Sequence, residues 1–399
     1  MRTRLKTIGM ACVILAMFLL WRRYVSISHY VNVPDRFTDP DKEYAPGGFT
    51  DVVANSLKQD MRNRPKSSSH RYSTVHQNMK VPVVYNDIVA NSLEQLDLSD
   101  SKCGRVPKRI HQTWKTENIP ISFKKYITSW VKLHPDWEYW LWTDSIADEF
   151  VKRRFPAYYP MYKNYGQGIH RADAIRYFIL YTFGGLYADL DMEAFRPFDH
   201  LLNTHTAMIP EDHPAHSVVN WGRPRMTTLN ALMTSTPKHK YLRKIIEFLP
   251  RANKATSKSD VVRKTGPFMT DAVLVAYEKS VGVEGNRTVS LCDAVYFAPY
   301  SRFIPDFDTN ALQSMKNGCK NPGPPSTPRG KTCEMLKRDN FKNKPQGLEV
   351  MSNHAFHHTY YDKPEYKLLF TVREIVKKPF DIKTLLANMK PDREFEKLV

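Results

Sequence analysis

The chain has 399 residues, of which 42% are hydrophobic and 12% aromatic, with a formal net charge of +18. That much apolar material supports a sizeable core in one large or two ordinary domains, and excludes wholesale disorder. The charge does not imply nucleic acid as a partner, because the basic residues are scattered with no zinc-finger, RRM or helix-turn-helix spacing; a basic surface facing anionic ligands, acidic membranes or glycans is the plainer account.

Thr7 to Trp21 is uncharged and mostly apolar, with Arg2, Arg4 and Lys6 before it and Arg22-Arg23 after it. No small-residue cleavage site follows, so the stretch reads as a signal anchor rather than a removable signal peptide. The sequence predicts a cytosolic tail over 1–6, a transmembrane helix over 7–23, a luminal stem over 24–101 and the main folded domain over 102–399. The stem is poor in apolar periodicity and rich in Ser, Asn, Asp, Lys and Pro. It holds a near-repeat, Asp51 to Gln59 and Asp87 to Gln95. This is either a duplicated spacer or a pair of short amphipathic helices that pair with each other or with another chain, giving a homo-oligomer through the stem in the latter case.

Ile110 to Trp114 reads as the first strand and Trp137 to Trp142 as the second. His170 to Phe183 carries Ala172, Ile175, Phe178 and Ile179 at helical spacing, and Gly184-Gly185 stops it. A short apolar strand, Leu186 to Ala188, then leads into Asp189-Leu190-Asp191. Further helices are expected over Tyr241 to Phe248, Phe268 to Glu278 and, at the C-terminal end, Tyr366 to Lys377. Alternating strands and helices predict an α/β domain with a mostly parallel sheet, whose ligands sit beyond the carboxyl ends of strands.

Asp-x-Asp occurs three times, at Asp39/Asp41, Asp189/Asp191 and Asp306/Asp308. Only the middle pair follows a helix, a glycine stop and a buried strand. Two carboxylates sharing a face at a strand end suit Mg²⁺ or Mn²⁺ bridging a diphosphate, as in nucleotide-sugar enzymes.

Four of the five cysteines lie beyond the anchor, in a compartment where disulfides persist. Cys319–Cys333 is the favoured pair because it closes a Pro/Gly-rich loop, which leaves Cys103–Cys292. Asn286-Arg287-Thr288 is an N-glycosylation sequon.

The segment around Asp189/Asp191 resembles glycosyltransferase family 32, especially its fungal-type α-1,6-mannosyltransferases of N-glycans. Val106-Pro107-Lys108-Arg109-Ile110-His111-Gln112-Thr113-Trp114 is similar to that family's opening strand. Asn230-Ala231-Leu232-Met233 through Pro237-Lys238-His239 and Thr265-Gly266-Pro267 are similar to its middle motifs. The resemblance runs from about Val106 to Tyr361. It implies a GT-A-like (Rossmann-like) fold over the folded domain, and a hexosyl transfer that retains anomeric configuration. First choice of donor is GDP-mannose, with UDP-galactose or UDP-N-acetylglucosamine as alternatives, and the acceptor is a glycan or glycolipid. The setting implied is a single-pass type II protein of the Golgi membrane.

By the same resemblance Asp173 and Arg176 contact the donor sugar; their other reading is an i,i+3 salt bridge on the helix. Arg171 assists them or is a surface arginine. Trp114 stacks on the donor base or is core. Tyr187 reaches the ribose or packs. Asp189 meets the ribose or metal waters, and Asp191 ligates the metal directly. Asn230 belongs to the donor site by its motif. Gly266 lets substrate approach the backbone or only shapes a turn. Asp271 orients an acceptor hydroxyl or is a charge at a helix start. Of the late histidines His354, His357 and His358, His357 is the first choice as metal ligand and His358 the second. The residues after them, Thr359-Tyr360-Tyr361-Asp362, depart from the family's Ser-Trp. Two other classes stand beside this reading: a non-catalytic Golgi sugar-binding or scaffold protein on a transferase fold, and a phosphohydrolase. The latter needs more clustered carboxylates and histidines than the chain displays.

Overall fold

The computed structural model describes residues 103–257, 260–281, 291–298, 303–305, 309–341, 350–357 and 368–396. The anchor, the stem with its near-repeat, Asn286, His358 and the other two Asp-x-Asp pairs lie outside the described residues. Among the described residues no helix is long and apolar enough to cross a membrane.

The chain opens with β1 (Arg109–Trp114), β2 (Asn118–Pro120), α1 (Lys124–Leu133), β3 (Glu138–Thr143), α2 (Asp144–Arg154) and α3 (Tyr159–Lys163). The long α4 (Gly168–Phe183) then feeds β4 (Gly185–Ala188), followed by β5 (Met192–Ala194), α5 (Asp199–Thr204) and β6 (Ala207–Pro210). A π-helical segment, Ala215–Asn220, precedes β7 (Leu232–Ser235), α6 (Lys240–Ala255), α7 (Val261–Lys264) and α8 (Pro267–Val281). The remainder comprises β8 (Tyr296–Ala298), β9 (Phe303–Pro305), α9 (Thr309–Gly318), α10 (Pro328–Arg338), β10 (Ser352–His354), β11 (Leu369–Thr371) and α11 (Ile382–Ala387).

Six strands form one sheet in the order β3-β1-β4-β7-β6-β8. Neighbours pair in parallel except at β7, which runs antiparallel to both β4 and β6. The mostly parallel sheet read from the sequence is therefore present, with one reversed strand. Side chains alternate between its faces, as the pleat requires. Tyr187, Met233, Ile209, Trp140 and Trp142 point into one core with α2, α3, α4, α6 and α8. Leu186, Ala188, Leu232, Met208 and Tyr139 point into the other with α1.

The turn from α4 into β4 fixes the carboxylates that follow. Gly184 N–H donates to Leu180 O at 2.9 Å and ends the helix, with φ at +61° and ψ at −165°. That conformation is close to glycine-only. A Cβ on Gly184 would lie 2.6 Å from Pro237 Cδ and 2.8 Å from Ser235 O; one on Gly185 would lie 2.8 Å from Arg109 O. The strands can close on the turn only because it has no side chains. His111 of β1 locks it: its buried ring meets Gly184 O at 2.9 Å through Nε2 and accepts from Trp142 Nε1 at Nδ1, 3.2 Å away. Burial holds this imidazole neutral, with its pKa down at about 3.

Two expectations change. The predicted helix over Tyr366 to Lys377 is not formed by the described residues of that stretch. Instead Leu369–Thr371 pairs antiparallel with β2, which buries Phe370 against the second core, and Thr371 and Glu374 then make a capping box over one 3₁₀ turn. The late histidines are divided: His354 lies on a short strand, Ser352–His354, that pairs with β5 and β9, and His357, the first choice of ligand, lies beyond it.

Two disulfides, Cys103–Cys292 and Cys319–Cys333, tie the periphery. The second packs with Met315 and Leu336 as a small separate core against Ala215 and Val219 of the π-helical segment.

Gly184→Ala is expected to cost about 2 kcal/mol, because it adds both backbone strain and overlap with Pro237. Thermal unfolding of the variant should then occur about 4–8 °C lower; an unchanged midpoint would contradict the close approach described here.

Candidate active site

The carboxylate pair sits at the carboxyl end of β4, in the middle of the sheet. Its backbone is a tight turn rather than the expected strand continuation: Asp189 N–H donates to Ala231 O at 2.8 Å, and Met192 N–H donates back to Asp189 O at 3.0 Å. The turn still aims both carboxylates to one side.

Beneath them lies Arg176, with only 2% of its surface exposed. Its guanidinium meets Asp173 at 2.9 Å and Asp189 at 3.2 Å, and donates to Asn230 O at 2.6 Å. It also lies over the Tyr187 ring, 4.7 Å from the centroid. Asp173, likewise buried, accepts from Asn230 Nδ2 at 3.1 Å and from Thr265 Oγ1 at 3.2 Å. The Tyr187 hydroxyl donates to Asp189 at 2.9 Å and is 3.0 Å from Thr113 Oγ1. Burial raises the Asp173 carboxyl to about 6, against the pull of Arg176. It raises Asp189 as well, again opposed by Arg176. Asp173 and Arg176 thus make the i,i+3 salt bridge, and in this structure their polar atoms are engaged with the protein itself.

Asp191 faces β10. Antiparallel pairing sets His354 opposite Met192, and Ala355 N–H donates to Asp191 O at 3.0 Å. This brings His354 Nε2 to 3.2 Å from Asp191 Oδ1. His357 approaches differently: its backbone N–H donates to Asp191 Oδ2 at 2.9 Å, while its ring turns to the Tyr126 hydroxyl, also at 2.9 Å. Burial disfavours the charged form of Asp191, but the neighbouring His354 imidazolium outweighs it and holds the carboxyl at about 2. One ligand atom each from Asp189, Asp191 and His354 lies within 4.8 Å of the others. Two carboxylates and an imidazole at that spacing fit a divalent cation. The imidazole brought to this cluster is therefore His354 rather than His357. Nothing in local spacing marks this choice, because a cross-strand register makes it.

The other expected residues divide. Trp114, half-buried at the end of β1, packs on Phe123 at 5.0 Å, and Phe123 in turn packs on His357 at 5.3 Å. It forms part of a shelf beside Asp191. Tyr187 is wholly buried. Asn230 is buried inside the Arg176 network. Arg171 donates to Tyr165 O at 3.1 Å. What closes on Gly266 is the backbone of Val261 and Val262, where a Cβ would lie at 3.0 Å. Asp271 is buried in a two-pronged pair with Arg225 at 2.8 and 3.0 Å and accepts from Thr228 N–H. It clamps the loop before β7 to α8, and the sequence signal for that, a lone Arg225 in a distant loop, is not readable by spacing.

Residues 120–208 match the family described as the glycosyltransferase sugar-binding region containing DXD motif. The chain is 34% identical over 221 residues to the mannosyl phosphorylinositol ceramide synthase SUR1 of Saccharomyces cerevisiae, covering 54% of each. It is 34% identical over 203 residues to the inositol phosphoceramide mannosyltransferase 3 of Schizosaccharomyces pombe, covering 50% of this chain and 51% of that protein. The initiation-specific α-1,6-mannosyltransferase of S. cerevisiae matches over a shorter stretch, 32% identical over 102 residues, covering 24% of this chain and 21% of that protein. The chain thus spans about half the length of the curated relatives it matches most extensively. Among solved structures, the PaToxG glycosyltransferase aligns at 19% identity over 50% of this chain and 78% of that one, with a TM-score of 0.35. The motif resemblance to glycosyltransferase family 32 and the sequence matches agree in pointing to a DXD-containing sugar-binding region over residues 120–208.

Proposed function

We propose that this protein is a metal-dependent mannosyltransferase that uses GDP-mannose and acts on a glycan or glycolipid hydroxyl with retention of anomeric configuration. The carrying observation is the Asp189, Asp191 and His354 cluster, held from below by Arg176 at the carboxyl end of β4. The relatives' names support mannose as the sugar, and the more extensive matches favour a glycolipid acceptor over an N-glycan. We further propose a type II anchor over 7–23 with the folded domain in the Golgi lumen, supported by the arginine-flanked apolar stretch.

Asp189, Asp191 and His354 would hold the ion, and the imidazole would favour Mn²⁺ over Mg²⁺, which prefers an all-oxygen shell. When bound, such an ion supplies Lewis-acid stabilisation of the diphosphate. Arg176 keeps Asp189 ionised and aimed, and Asp173 and Asn230 hold Arg176. Trp114, backed by the buried Phe123, would stack the donor base. In the transfer, the acceptor oxygen bonds to the anomeric carbon as that carbon's bond to the phosphate oxygen breaks. The bonding pair leaves with the diphosphate, whose departing oxygen takes the hydroxyl proton on the same face.

Three outcomes are expected of the full chain in detergent. Saturating Mn²⁺ at about 100 times its Kd should raise stability by about 2.7 kcal/mol relative to chelator, seen as a thermal shift. Asp191→Ala and His354→Ala should abolish that shift, whereas His357→Ala should keep one. Turnover, read as nucleoside-diphosphate release from a panel of GDP- and UDP-sugars, should occur with GDP-mannose and fall on the order of 100-fold in Asp191→Ala. Release from a UDP-sugar alone would overturn the donor assignment, and release from none, without Mn²⁺-dependent donor binding, would favour a non-catalytic sugar-binding role. Arg176→Ala should destabilise the fold by about 3–5 kcal/mol by leaving Asp173 and Asp189 unbalanced, as denaturant unfolding would show.

A further inference from the structure

A line of ring contacts starts at His354 and leads away from the carboxylates. The His354 ring is 3.8 Å from that of Phe356, which meets His216 edge-on at 5.2 Å. His216 lies 3.9 Å from Trp221, and Trp221 meets Phe268 edge-on at 4.9 Å. Arg223 covers the far end, 4.6 Å over Phe268. Phe356, His216 and Trp221 are each partly exposed.

The rings are held by devices that a packing role alone does not call for. Phe356 has φ at +48°, a conformation that a bulky side chain rarely takes. His216 lies in the π-helical segment, a rare backbone form that recurs at functional sites. Its Nδ1 is 2.7 Å from Asp212, a carboxylate with 1% of its surface exposed that also accepts from Ser217 Oγ and His213 N–H. The disulfide core of Cys319 and Cys333 presses on the opposite side of the same segment, with Gly318 so close to Val219 that a Cβ would lie 2.6 Å from its Cγ1.

We propose that this lane is the acceptor subsite. It takes a polyhydroxylated ring, a pyranose or a cyclitol, with the ring's C–H face on Trp221 and Phe356 and one hydroxyl directed toward the Asp191–His354 end. Aromatic faces suit such a ligand because one side of it is apolar while its edge carries hydroxyls. His216, fixed by Asp212, is a positioning residue that sets the angle between the two rings. Naming the bound ring as the acceptor rests on the transferase reading; the binding of the ring does not.

The test uses the full chain in detergent with two simple rings, methyl α-mannopyranoside and myo-inositol, titrated by calorimetry. The wild type should bind at least one of them saturably. Trp221→Ala and Phe356→Ala should each weaken that binding at least tenfold, Trp221→Phe should recover most of it, and all variants should keep a cooperative thermal transition. In turnover, Trp221→Ala should lower the ratio of sugar transfer to acceptor-independent nucleoside-diphosphate release at least tenfold. Absence of ring binding by the wild type, or a folded Trp221→Ala that binds as well as wild type, overturns the subsite. Ring binding with these losses, in a protein that turns over no donor, upholds the lane and sinks the transferase reading instead.

Discussion

The site depends on one buried cation. Arg176 sits below the sheet's carboxyl edge with Asp173 on one side and Asp189 on the other, and a backbone carbonyl, Asn230 O, accepts a further hydrogen bond from it. Burying a carboxylate without such a partner would simply protonate it, as the upward push on Asp173 and Asp189 shows. Even so, once His354 gives up its proton to ligate an ion, three carboxylates face one guanidinium, and the excess is negative. That excess is what makes the place attractive to a divalent cation. An arginine suits the role better than a lysine because its planar fork can engage two carboxylates and a carbonyl at once.

The backbone delivers these groups by excluding side chains where strands and helix meet. Gly184 and Gly185 bring β4 against β1 and against the loop after β7, and His111 fastens the turn from the far side. The reversed strand β7 follows from the same packing. It pairs with β4 residue for residue from Gly185↔Ser235 to Ala188↔Leu232, and so carries Ala231 and Asn230 to the carboxylates. A side chain at Gly184 would push on Pro237 and thereby on the strand that holds Asn230.

What the sequence disclosed was local. Helical periodicity, a glycine stop and a short apolar strand placed α4, β4 and the carboxylate pair, and motif wording placed Arg176 and Asn230 beside them. What it hid was register. His354 lies on β10 and His357 beyond its end, and the pairing of His354 with Met192 decides which of them brings its ring to Asp191. The 161 residues between Met192 and His354 carry no local sign of that pairing. Asp271 was open to two readings for a similar reason: its partner Arg225 comes from a loop whose position is set by tertiary packing. The C-terminal stretch, expected as a helix, differs because Phe370 and Val372 are buried from a short strand and the turn after it.

The division between what was legible and what was not follows a division within the site. Residues 120–208 hold Asp173, Arg176, Asp189 and Asp191, and this is the part that matches a family of sugar-binding regions. His216, Trp221, Phe268 and Phe356 lie outside that match, on the π-helical segment, the loop after it, α8 and the segment after β10. The first group is interlocked by charge, so a change in any member disturbs the rest. The second is joined by ring contacts and stapled from behind by a disulfide core, so its rings can be exchanged with far less effect on the carboxylates. A scaffold built this way can vary its ring surface while the charged network stays in place, and the stacking of Phe356 on His354, which faces Asp191, is a contact through which the two communicate.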